Sequence, residues 1–274
     1  MTAADTRQVY VEGISFWAPR LPGWEIAAAV LAGNAEPPAV TLRRPSPAIL
    51  PSAERRRAPD SVALAIEVAA RACGAAALDP RGLPSVFATT HGDPVITDYL
   101  CETLVKTPLH TSPTKFHNSV HNAAAGYWCI ASGCHAPYTT VSVFGYSYAA
   151  GLLETIMQVG SDGGSALYVA YDIESCGPLA PFAVSRGLLG VGLVIASNRS
   201  ARTVARLSWS FRSGGSEGLT QAKPANASLL EGNAMAPCLP LFEALARGAG
   251  PVTLALGPRM LLDIVVQDAR TLPP

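Results

Sequence analysis

The chain has 274 residues, 49% of them hydrophobic, with 20 Lys plus Arg balanced by 20 Asp plus Glu. That length supports one large or two small domains around a well-buried core, and we read a single domain. The charge balance excludes an electrostatic footprint for nucleic acid or an anionic membrane, and the sparse charge beside abundant Ala, Val and Leu points to extra buried surface such as a subunit interface.

The six cysteines, Cys73, Cys101, Cys129, Cys134, Cys176 and Cys238, lack CxxC pairs and framework spacing. They read as reduced, mostly core thiols. The N-terminal residues lack the basic start and apolar run of a secretory signal, and no apolar stretch reaches bilayer length. The expectation is a soluble, cytoplasmic protein with no membrane span, no metal and no cofactor.

In chain order, Val9 to Phe16 is predicted as a strand and Trp24 to Ala32 as a helix after the Leu21-Pro22-Gly23 turn. Residues 34–59 are rich in Pro and Arg and read as loop, with Arg55, Arg56 and Arg57 in a solvated turn. Asp60 to Cys73 has the pattern of a well-buried helix capped by Asp60 or Ser61. Next come a strand at Pro84 to Thr90, a helix around Val95 to Val105 and a helix from about Ser119 to Ser132. Tyr138 to Phe144, rich in β-branched and aromatic residues, is predicted as a buried strand running into a helix over Ser147 to Val159. Strands are then expected at Ser165 to Asp172, at the Gly-spaced run Leu188 to Ser197, and at Arg202 to Phe211. A polar loop over residues 213–236, a helix from Ala236 to Arg247 and a strand pair across Gly257-Pro258 complete the chain. Alternating strands and helices imply an α/β protein with a largely parallel sheet.

The strand-to-helix junction at Gly145 is where chemistry is expected, because side chains there face the positive end of a helix. Gly145-Tyr146-Ser147-Tyr148-Ala149 approaches the G-x-S-x-G elbow of α/β-hydrolases. A serine hydrolase of that kind needs an acid and then a histidine after the serine, yet His91, His110, His117, His121 and His135 all precede Ser147. Ser147 is better read as a cap or a local hydrogen-bonding residue. His117 and His121, four apart, have the spacing to share a helical face and hold a metal with Cys129 or Cys134, but no third ligand has convincing spacing. Both imidazoles are expected to bond backbone in a buried turn. Cys134-His135 invites a nucleophile and base, although adjacent side chains diverge and Gly133 and Pro137 indicate a loop.

Asn122, Gly126, Gly133 and Pro137, followed by a strand, Gly145 and a helix, carry a more specific resemblance. This run is similar to the N-terminal half of β-ketoacyl synthases of the thiolase fold, which have an N-x-x-x-G helix, a G-x-x-G-P turn and a strand ending at the acyl-accepting cysteine. Counted without a gap, that cysteine's position falls on Gly145. The resemblance implies a thiolase-like layered α/β sheet with a shortened C-terminal half. Residues 5–200 would be the ketosynthase-like core and 201–274 the reduced part, within one domain spanning 1–274. Ketosynthases also use histidines, or histidine and asparagine, with a lysine from the second half. Downstream of Gly145 there is no histidine, and the only lysine is Lys223.

The pattern resembles the chain-length-factor subunits of bacterial aryl polyene and related type II polyketide or fatty acid systems. It implies a catalytically incompetent subunit that pairs with an active ketosynthase and, through it, meets an acyl carrier protein. The strand Tyr138, Thr139, Thr140, Val141, Ser142, Val143 and Phe144 would pair with its counterpart across the interface. Lys115, Phe116, His117 and Asn118, together with Phe144, Gly145, Tyr146, Ser147 and Tyr148, would reach the partner's acyl tunnel. The rival readings are a stand-alone enzyme, either a hydrolase at Ser147 or a condensing enzyme at Cys134, a non-enzymatic homodimer, and a monomeric acyl-binding module.

Overall fold

In the computed structural model, which describes residues 7–271, eight strands form one mixed sheet in the order β3-β2-β4-β5-β1-β6-β8-β7. The strands are β1 (Arg7–Trp17), β2 (Ser85–Ala88), β3 (Tyr138–Val141), β4 (Ser165–Asp172), β5 (Leu189–Ala196), β6 (Ala205–Ser213), β7 (Ala249–Gly257) and β8 (Met260–Asp268). The helices are α1 (Trp24–Ala32), α2 (Ser52–Arg57), α3 (Asp60–Ala75), α4 (Pro94–Lys106), α5 (Pro113–His117), α6 (Ala123–Ser132), α7 (Ser147–Asp162), α8 (Pro224–Leu229) and α9 (Leu239–Arg247).

β4 reads SALYVAYD because both of its faces are covered. Leu167, Val169 and Tyr171 pack with α3 and Trp128 of α6 on one face. Ala166, Tyr168 and Ala170 pack on the other face in the cluster that holds the apolar sides of α1, α7 and α9. The expected glycine spacing in β5 has a steric cause. A Cβ on Gly192 would lie 2.8 Å from the carbonyl oxygen of Val68, and one on Gly13 in β1 would lie 2.2 Å from that of Ala72. The two glycines let α3 rest on the sheet backbone, where Ser15 Oγ donates to Val68 O at 2.6 Å.

Several expectations are corrected. Only the β2-β3 and β2-β4 pairings are parallel; the five others are antiparallel, so the sheet is mixed rather than largely parallel. The reason is the loop from β4 to β5, which has no crossover helix and returns the chain antiparallel. The predicted strand Tyr138 to Phe144 stops at Val141, and it is a half-exposed edge strand rather than a buried one. β-branched residues mark a strand without saying whether both of its sides are covered.

The arginine run lies in a short helix, α2, and not in a turn. Neither proposed cap holds α3: its N-cap is Pro59, Asp60 pairs with Arg44 at 3.1 Å, and Ser61 Oγ donates to Asp93 at 2.6 Å. The helix expected from Ser119 begins at Ala123, since residues 118–122 form a turn, and the loop over 213–236 contains α8.

Candidate functional site

The parallel strands β2, β3 and β4 end side by side at Ala88, Val141 and Asp172, and the candidate site is built where the chain leaves these three strand ends. After β3 the chain makes one 3-10 turn over Phe144–Tyr146 and enters α7 at Ser147. Ser147 closes this corner from inside. Its hydroxyl donates to Phe144 O at 2.7 Å and accepts from Val143 N–H at 2.9 Å, while its side chain is buried. Both hydrogen-bonding roles of the oxygen are thus taken by backbone, which fits a local structural serine rather than a nucleophile.

The loop after β2 braces the corner from outside. Thr90 Oγ1 donates to Phe144 O at 3.4 Å, and Ser142 Oγ donates to Thr90 O at 3.2 Å. That loop is pinned in turn by Asp172 at the end of β4. Its carboxylate accepts from Thr89 Oγ1 at 2.9 Å, from Thr90 N–H at 3.0 Å and from His91 N–H at 3.1 Å. Burial raises the Asp172 carboxyl above its ordinary value, and the three donors act against that rise. Residue-by-residue reading missed this brace because it joins positions some eighty apart. The acid ending SALYVAYD was its one visible trace.

The backbone of the corner is strained at Phe144, whose φ is 45°, and not at Gly145. For a bulky side chain this region costs on the order of 1–3 kcal/mol. Phe144 leaves its ring 78% exposed, while a Cβ on Gly145 would meet nothing within 4 Å. Behind the corner lies a cavity of about 500 Å³ between Gly145, Tyr146 and Tyr148 on one side and residues such as Thr220, Leu239 and Leu254 on the other. No cysteine, histidine, lysine or serine is among its lining residues. Burial holds the Tyr148 phenol well above its usual range, so that side chain stays neutral.

The remaining candidates fall on separate elements. Lys115 places its Nζ 3.5 Å from the centre of the Tyr99 ring on α4, a cation–π contact. Phe116 is exposed, and Asn118 is buried with its Oδ1 unpartnered. His117 ends α5 and His121 lies in the turn beyond it, so they do not share a helical face. Both are exposed rather than buried in the expected turn, His117 near Tyr127 and His121 over Gly92.

Asn122 Nδ2 donates to the Tyr138 hydroxyl at 3.3 Å, tying the approach to α6 to the start of β3. Gly133 takes the left-handed conformation that ends α6, and the Pro137 carbonyl accepts from Ser85 N–H at 3.1 Å as β3 begins. Gly126 lies within α6. On β3, Thr139 Oγ1 accepts from Gln158 at 3.2 Å, and Thr140 Oγ1 is buried without a partner. Cys134 is buried with its thiol 3.5 Å from Leu83 O, while the side chain of His135 is exposed, so the pair does not form a nucleophile and base.

The stretch of chain that builds this strand-to-helix corner is matched by a family. Residues 24–237 fit the model described as "Beta-ketoacyl synthase, N-terminal domain". The chain belongs to this family. No curated protein matches it in sequence. Among solved structures, the ketoacyl synthase fold recurs at low identity. A chain of the ketosynthase ApeO in complex with its chain length factor ApeC from Xenorhabdus doucetiae aligns with a TM-score of 0.70 and 17% identity, over 94% of this chain and 99% of that one.

A chain of AntDE:AntF, a type II polyketide synthase acyl carrier protein in complex with its ketosynthase, aligns with a TM-score of 0.72 and 12% identity, over 96% and 99%. The ishigamide ketosynthase/chain length factor gives 0.64 and 16% over the same shares. At these identities the likeness establishes the thiolase-like ketosynthase fold. No helix among the described residues is long and apolar enough to cross a membrane.

Proposed function

We propose that this chain is a chain-length-factor subunit: a catalytically incompetent ketosynthase-like protein that pairs with an active β-ketoacyl-carrier-protein synthase and shapes its acyl tunnel. The observation that carries the reading is the braced corner without its nucleophile. The position expected for the acyl-accepting cysteine is Gly145, and the cavity behind it is lined by no thiol, imidazole or amine. Decarboxylative condensation through an acyl-thioester uses a thiolate assisted by imidazole or ammonium groups, and none of these lines the cavity.

The partner is a cysteine-bearing ketosynthase, met along the free edge of β3, and the acyl carrier protein is engaged through that partner. Support comes from the ketosynthase and chain length factor complexes among the structures that share the fold. Aryl polyene-type biosynthesis, within the type II polyketide and fatty acid systems, is the pathway class we assign. Mixing the purified chain with its cognate ketosynthase should give a heterodimer in sedimentation, with products shorter and more uniform than those of the ketosynthase alone. Two separate species at micromolar concentrations with unchanged product length would overturn the proposal, and a homodimer of this chain that ignores the ketosynthase would replace it with a non-enzymatic self-association.

A further inference from the structure

The chain carries as many acids as bases, but it does not spread them evenly. Between residues 43 and 57 stand five arginines, Arg43, Arg44, Arg55, Arg56 and Arg57, against the single acid Glu54. The loop before α2 and α2 itself bring them together. Between these two stretches lies a cavity of about 500 Å³ lined by Arg44, Pro45, Ser46, Ser52, Arg55 and Arg56. No carboxylate is among its lining residues.

One wall of the cavity is held by the chain's own bonds. Arg44 Nη2 donates to Ala58 O at 3.0 Å, just past the end of α2, and Arg44 Nη1 pairs with Asp60 at 3.1 Å where α3 begins. Pro45 and Pro47 are buried on either side of the exposed Ser46, which fixes the backbone that carries its hydroxyl. Arg44 is thus committed to structure. Arg55 and Arg56 are not: among the described residues neither guanidinium has an ion-pair or hydrogen-bond partner, and the hydroxyls of Ser46 and Ser52 likewise bond nothing.

We infer that this cavity is a binding site for a small, soluble phosphate monoester, whose phosphate is held by the Arg55 and Arg56 guanidiniums and by the Ser46 and Ser52 hydroxyls. Charge and shape decide for phosphate. A phosphate monoester carries about −1.5 to −2 charges near neutral pH and three acceptor oxygens, which two free guanidiniums and two hydroxyl donors match. A carboxylate, with one charge and two oxygens, would leave one guanidinium unmatched. The planar fork of arginine also pairs with phosphate oxygens two at a time, which a lysine ammonium does not. A cavity of this size lies within the range of small-ligand sites and admits the organic arm of the ester. An α-helix with its side chains, about 10–12 Å across, would only rest on the rim. The site shares no lining residue with the cavity behind Gly145 and does not depend on pairing with a ketosynthase.

The test titrates the full chain with inorganic phosphate and with glycerol 3-phosphate by calorimetry at about 150 mM salt, where attraction to a merely charged surface is screened. Both should bind saturably at one site per chain, and acetate at the same concentration should not compete. The double variant Arg55→Gln, Arg56→Gln should bind about tenfold more weakly or worse. Arg57→Gln removes a charge from outside the cavity and should leave the affinity unchanged. Arg55→Lys with Arg56→Lys keeps both charges, and any folding they support, but loses the forks; it should still weaken binding severalfold.

Absence of saturable binding by either phosphate would overturn the inference. So would an equal loss per charge removed in Arg57→Gln and in the double glutamine variant, which would mark a general surface charge. If a carrier protein, or vesicles of phosphatidylcholine with phosphatidic acid, bound this face while free phosphate neither bound nor displaced them, the arginines would serve an acidic helix or a lipid headgroup, and the soluble ligand would be refuted.

Discussion

A side chain added at position 145 enters open space, whereas one added at Gly151, six residues on in α7, would lie 2.8 Å from Ala88 and Tyr168. Gly145→Cys should therefore fold like the parent and label with iodoacetamide, yet give no condensation product above background in a carrier-protein assay. The thiol would face a cavity without an imidazole or ammonium to help it, and turnover at even a hundredth of an ordinary ketosynthase rate would refute that account. The buried native thiol Cys73 behaves differently. Burial, with Cys134 nearby, pushes the Cys73 thiol from 9.0 up to about 12. Its folded value is raised, so its contribution to stability is complete below pH 9 and is lost as pH climbs toward 12, where the unfolded chain ionises and the folded chain resists. Urea unfolding across that alkaline window should show Cys73→Ala losing less stability than the parent; parallel losses would show that Cys73 does not carry the effect. Residue roles were legible where the partner is local. Ser147 reads as a backbone-bonding serine because Val143 and Phe144 are four and three positions away, whereas the grip of Asp172 on Thr90 spans the sheet and leaves no local pattern.

At the scale of elements, the helices and strands that touch the core were readable because burial on every side writes a continuous apolar run. α3, with Val62 through Ala69 buried, and β5, buried throughout, are the clearest cases. Strand direction and strand exposure were not readable, since both depend on which neighbour the strand finds. β3 carries the composition of a central strand and lies at an edge. The glycines of β1 and β5 are the most testable part of the pattern. Gly192→Ala would drive a methyl group to 2.5 Å from Ser15 Oγ and 2.8 Å from Val68 O, two atoms that also hold α3 in place through their own hydrogen bond. Backbone cannot step aside as a flexible side chain can, so the variant should lose about 1–3 kcal/mol or more in urea unfolding. Gly160→Ala, in open space on α7, should be neutral or slightly stabilising. Equal stability of the two variants would mean that α3 is not seated on a glycine surface.

The whole molecule presents one unpaired sheet edge beside the corner. Ser85 N–H donates to Pro137 O, and Thr89 N–H donates to Val141 O. With the strand period of two, the backbone groups of residues 139 and 141 face β2, and those of Tyr138 and Thr140 face outward. An exposed edge of this kind is a template for another strand and is ordinarily blunted by charge or proline, whereas YTTV carries neither. Exposed apolar side chains lie on the elements around it: Tyr138, Val143 and Phe144, then Phe116 and Val120 in the approach to α6, and Ile130 on α6 itself. In the proposed heterodimer these residues would flank the edge along which the sheet continues into the partner. Thr140→Pro discriminates this from simple hydrophobic stickiness. It removes an outward N–H and leaves every group that bonds β2 in place, and it leaves the exposed apolar residues untouched. The isolated variant should keep the parent's circular dichroism and unfold with little change in midpoint, while its complex with the ketosynthase should weaken by at least tenfold in sedimentation. If the variant binds as tightly as the parent, the apolar side chains alone make the contact and the sheet does not cross the interface. If it unfolds, the outward assignment of the Thr140 backbone is wrong, and the register of β3 against β2 would have to be drawn again.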